Sequence, residues 1–136
     1  MKKKRVLLVE DDYTLEPFWR MISQKLEGQP EFEWVTSESA AERAISKGHS
    51  KGWSYDVIIC DIFLSGGKTG IDLWRKCRGE ATEFVFTSGI SIDKFERVLS
   101  GSTGHHPFLM KPLDPLACVS TINTLLKAGS GAIEAA

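Results

Sequence analysis

Cysteine is scarce: Cys60, Cys77 and Cys118 are the only three in 136 residues. An odd, widely spaced set excludes a disulfide framework and matches no zinc-ligand spacing. An excess of one charge sign is also missing, because 17 basic and 18 acidic residues leave a formal net charge of −1. That balance argues against broad binding to nucleic acid or to an anionic membrane. The one basic run, Lys2-Lys3-Lys4-Arg5, reads as a solvated lead into a first strand. Long apolar runs are absent as well. Val6-Leu7-Leu8-Val9 stops at Glu10, and nothing reaches the length of a signal or membrane span. A cytoplasmic protein with no membrane contact is expected. No internal repeat or low-complexity block interrupts the chain, and its length suits one hydrophobic core.

What is present alternates. Apolar runs at 6–9, 32–36, 56–60, 83–86 and 108–110 read as strands, and amphipathic stretches separate them. The first of these, from about Thr14, carries Leu15, Phe18, Trp19, Ile22 and Leu26 at helical spacing, with Pro17 in its first turn and Gly28 and Pro30 at its end. Ser37 or Ser39 is positioned to cap a second helix that ends at Gly48. Helices are also expected after Gly70, at 92–99 and at 114–127, with the small residues from 128 onward forming a flexible tail or the start of a linker. Strands alternating with helices imply a parallel sheet covered on both faces. Right-handed crossovers then place every strand's C-terminal end on one rim, where such sheets bind ligands.

The residues that follow the runs therefore converge. The first strand ends in Glu10-Asp11-Asp12, the third in Asp61, the fourth in Thr87-Ser88 and the fifth in Lys111. The second strand contributes nothing obvious. Each residue alone has an ordinary reading: Asp11, Asp12 or Thr87 as a helix cap, Lys111 as a solvated loop lysine. Together they are harder to dismiss, since several carboxylates in one pocket repel one another unless a hard cation sits among them. A carboxylate, a cation, a lysine and a hydroxyl are the parts needed to accept a phosphoryl group as an acyl phosphate.

From 5 to 127 the chain resembles a receiver (response-regulator) domain of two-component signalling. Val9-Glu10-Asp11-Asp12, Asp61, Thr87-Ser88 and Phe108-Leu109-Met110-Lys111-Pro112 carry the resemblance. It implies a doubly wound, five-stranded parallel sheet in the flavodoxin-like order 2-1-3-4-5, with the receiver at 1–127 and the tail at 128–136. Asp61 would be the phosphoacceptor, and Asp11, Asp12, Asp61 and the backbone carbonyl of Phe63 would hold magnesium or manganese. Thr87, Ser88 and Lys111 would bind the phosphoryl group, with a cis bond between Lys111 and Pro112. Thr87 and Phe108 would switch the surface of the fourth helix, fifth strand and fifth helix. Phe63 and Gly89 would flank the path of the hydrolytic water and set the lifetime of the acyl phosphate. The implied donor is a histidine kinase or a phosphotransfer protein, and the implied role is signalling rather than turnover of a substrate. A downstream protein or output domain would read the switch, with no direct contact to nucleic acid.

Three other readings compete. A P-loop would need a glycine where Ile62 stands, five residues before Gly67-Lys68-Thr69. An aspartate-nucleophile phosphatase of the haloacid dehalogenase type would need an aspartate in place of Glu10. The third, a degenerate receiver that binds partners without being phosphorylated, is opposed by the complete set of acids, hydroxyl and lysine.

Overall fold

The computed structural model describes residues 3–62, 70–77, 81–89 and 107–135, of which 129–135 are described as backbone only. The strands are β1 (Arg5–Val9), β2 (Glu31–Val35), β3 (Val57–Asp61), β4 (Glu83–Ser88) and β5 (Phe108–Met110). They form one sheet in the order β2-β1-β3-β4-β5, and every pairing is parallel. The helices are α1 (Glu16–Lys25), α2 (Glu38–Ser50), α3 (Gly70–Cys77) and α4 (Pro115–Ala135). The helix expected at 92–99 lies outside the described residues.

The apolar runs become strands because both faces of the sheet are covered. In β1, Val6 and Leu8 enter a core with Trp19 and Ile22 of α1 and Cys118, Ile122 and Leu126 of α4. Leu7 and Val9 point the other way, against Ala41 and Ile45 of α2 and Ile71, Leu73 and Trp74 of α3. Every residue of β3 is buried. Such a strand needs no alternation of polar and apolar residues, which is why it reads as a continuous run.

A local signal sets the start of α2. Ser37 caps α2, its hydroxyl oxygen accepting from the Ala40 N–H at 3.1 Å. Beyond Gly48, where its end was expected, α2 runs on to Ser50. Gly48 is where Trp53 packs, its ring lying within 2.6 Å of the place a Cβ would occupy. The largest difference is in α4, which continues past Lys127 to Ala135, so the stretch read as a tail is helical backbone. Extending a helix already packed on the sheet adds one bond per residue. Among the described residues no helix is long and apolar enough to cross a membrane.

Candidate functional site

Register brings the site residues level with one another. Val9 of β1 pairs with Cys60 of β3, so Glu10 and Asp61 come next on adjacent strands at the same height. Asp61 pairs in turn with Thr87 of β4, and Ser88 pairs with Met110 of β5, one residue before Lys111. Glu10, Asp61, Thr87 and Ser88 are all buried. The Lys111 N–H donates to the Ser88 carbonyl at 2.8 Å, and the Lys111–Pro112 bond is cis.

The lysine side chain turns back across the rim. Its Nζ donates to Asp61 Oδ2 at 2.7 Å and lies 2.9 Å from Glu10 Oε1 in an ion pair. That Glu10 oxygen is fully buried and faces the Lys111 ammonium. Burial pushes the Glu10 carboxyl above the ordinary carboxylate range; Lys111 opposes the shift and the Asp61 charge adds to it. Burial alone would lower the Lys111 ammonium. The contacts with Asp61 and Glu10 outweigh it, and the net shift is upward. Cys60, beside Asp61, is a buried thiol pushed well up by desolvation and then by the Asp61 and Glu10 charges. A thiol so shifted is a poor nucleophile.

The carboxylates that come together are Glu10, Asp11 and Asp61, each with an oxygen within 4.8 Å of the others. Asp12, expected among the metal ligands, is engaged elsewhere. Its Oδ1 accepts from the Thr14 N–H at 3.0 Å and from the Thr14 hydroxyl at 2.6 Å, capping the short 3-10 turn Tyr13–Leu15. Those bonds hold its carboxyl below the ordinary range. Glu10 takes the inward place, and its Oε2 accepts from the Asp12 N–H at 3.2 Å. The signal that could have found Glu10 is positional. It stands one residue past the last apolar residue of β1, as Asp61 stands one past Cys60 on the neighbouring strand.

The donor set suits a hard divalent cation. Three carboxylate groups converge, and two of them are buried. Phe108 is partly buried against the core that holds Phe84 and Phe86. Gly89 is exposed, and among the described residues no atom lies within 4 Å of the position of a Cβ. Phe63 lies outside the described residues.

No family model matches the chain. The transcriptional regulatory protein AruR of Pseudomonas aeruginosa is 26% identical over 125 residues, covering 90% of this chain and 49% of that protein. The chain thus spans about half the length of the curated relative it matches. Among solved structures, the signal receiver domain of an HD domain-containing protein from Pseudomonas fluorescens superposes with a TM-score of 0.81 at 14% identity, over 98% of this chain and 94% of that one. A response regulator receiver protein from Burkholderia phymatum gives 0.74 at 21%, over 92% and 96%. A CheY-like response regulator receiver domain protein from Methanospirillum hungatei gives 0.71 at 22%, over 96% and 98%. At these identities the likeness establishes the fold, which is that of receiver domains.

Proposed function

We propose that this chain, which has the receiver-domain fold, is a phosphoacceptor switch of two-component signalling with Asp61 as its acceptor. The observation that carries the reading is the convergence on Asp61. Glu10 and Asp11 lie beside it, Lys111 Nζ is 2.7 Å away, and Thr87 pairs with it across the sheet. An Asp61 oxygen attacks the phosphorus of a phosphohistidine on a kinase or phosphotransfer protein. The P–N bond breaks as the P–O bond forms, and the departing imidazole takes a proton from solvent. Lys111 transfers its contact from the free carboxylate to a phosphoryl oxygen, and the Thr87 hydroxyl donates to another. Phe108 then packs inward, and the surface around β5 and α4 reports the change.

Glu10, Asp11 and Asp61 would hold magnesium or manganese, with the Phe63 carbonyl as a further ligand, while Asp12 keeps its capping role. Bound there, the cation supplies positive charge against that of the phosphoryl oxygens. Such a protein changes state once per phosphorylation, acts in the cytoplasm, and passes its signal to a downstream protein or output domain.

Intact mass after exposure to acetyl phosphate tests the reading. Wild type is expected to gain one phosphoryl group only when magnesium is present, and Asp61→Asn to gain none. A wild-type chain that binds magnesium but gains no phosphoryl group from acetyl phosphate or a phosphohistidine donor would sink this reading in favour of a degenerate receiver.

A further inference from the structure

We infer that Trp34, on the edge strand β2, is a positioning residue that fixes Glu10 in the cation site. The inference rests on the receiver reading and names a residue that the strand-end inventory does not contain. In the sheet, Trp34 pairs with Leu8, two residues before Glu10. Its indole Nε1 reaches forward and donates to the Glu10 carbonyl at 2.6 Å, short for an N–H···O bond. The next residue of the same strand completes the hold, since the Glu10 N–H donates to the Val35 carbonyl at 3.0 Å.

Both backbone polar groups of Glu10 are therefore bonded to consecutive residues of β2, one step beyond the end of the β1 ladder. These bonds fix the peptide planes on either side of its Cα and so set where the side chain begins. What that side chain does is position-sensitive. Oε1 lies 2.9 Å from Lys111 Nζ, Oε2 accepts from the Asp12 N–H, and the group shares a 4.8 Å cluster with Asp11 and Asp61. A small rotation of the Glu10 peptide would move a carboxylate out of a site whose cation demands near-octahedral geometry.

Packing alone does not call for this side chain. Trp34 is only partly buried, against the core that contains Leu8 and Trp19, and phenylalanine would supply apolar surface there. What phenylalanine lacks is the N–H. Hydrogen bonds that orient a metal's ligands typically contribute about 10- to 100-fold to affinity.

The test compares magnesium binding by wild type and Trp34→Phe, with thermal stability measured on the same samples. A second variant carries a benzothiophene analogue of tryptophan at position 34, which keeps the bicyclic shape and replaces N–H by sulfur. Magnesium dissociation constants for both variants are expected to rise about tenfold. In the indole 1H–15N spectrum of the four tryptophans, the peak missing from Trp34→Phe should move when magnesium is added to wild type. If wild type binds magnesium and the folded analogue binds it within twofold as tightly, Trp34 only packs, and the receiver reading stands without it. If wild type binds no magnesium, the cation site itself is wrong and the inference falls with it.

Discussion

Glu10 and Asp12 are two residues apart in the same acidic run, yet they meet different surroundings. Glu10 is sealed from water beside Asp61 and Lys111, whereas Asp12 is exposed and bound to Thr14. A buried charge grouped with like charges costs stability unless a counter-charge offsets it. Replacing Glu10 by the near-isosteric glutamine should therefore leave the melting temperature in chelator unchanged or higher, while weakening magnesium binding at least tenfold. Asp12→Asn keeps an oxygen for Thr14 and should change magnesium affinity by less than about threefold, although Asp12 is also an acid of the run. Calorimetric titration of both variants separates the two roles. Equal losses would mean that Asp12 also binds the cation. That an acidic group sat at this rim was legible in the sequence. Which acids face inward was not, because that depends on where β1 stops pairing. Asp12 did carry a local sign of its role, a hydroxyl residue two positions on, the pattern of a side chain that caps a turn.

The first residue of α3 shows how an element is brought against the site. The Gly70 N–H donates to the Ile62 carbonyl at 2.7 Å, which draws the helix start onto the end of β3. A Cβ at Gly70 would stand 2.3 Å from the Asp61 carbonyl oxygen and 2.8 Å from Cys60 Sγ. The nearer obstacle is backbone, so α3 or β3 must shift. Gly70→Ala should cost roughly 1–3 kcal/mol of stability, as overpacking does, and should also slow phosphoryl uptake from acetyl phosphate. Adding Cys60→Ala removes the sulfur but not the carbonyl. The double variant should therefore remain defective in chemical denaturation and in uptake, and full recovery would place the clash at the sulfur instead. From sequence, Gly70 was visible only as part of a glycine-bearing loop before a helix. The close approach that requires it arises from tertiary packing, as does the bond from Trp34 to Glu10, which made β2 look silent. The extra turns of α4 went unread for a different reason. Gly129, Ser130 and Gly131 have low helix propensity, yet the helix runs through them to Ala135.

Across the whole molecule, the strand order was legible because the connections leave little choice. Apolar runs alternating with amphipathic stretches, joined by right-handed crossovers, place all the strand ends on one rim. The consequence is that the carboxylates sit on the central strands: Glu10 and Asp11 follow β1, and Asp61 ends β3. Both helical layers pack on those strands, with Val6 to Val9 and Val57 to Cys60 buried among them. In the proposed reading, a cation held between the ends of β1 and β3 would bind only when the sheet is formed, so its binding free energy would add to the stability of the whole domain. At a magnesium concentration 100 times the dissociation constant, linkage gives about 2.7 kcal/mol. For a domain of this size that corresponds to a rise of about 10 °C in melting temperature. Excess chelator should reverse the rise completely. Asp61→Asn should begin from an equal or higher melting temperature in chelator, since one of the grouped charges is gone, and should show little of the magnesium-dependent increase. A wild-type melting curve that does not move between chelator and saturating magnesium would mean that the three carboxylates do not act as one site. A rise that persists in Asp61→Asn would mean that the cation is held away from the end of β3.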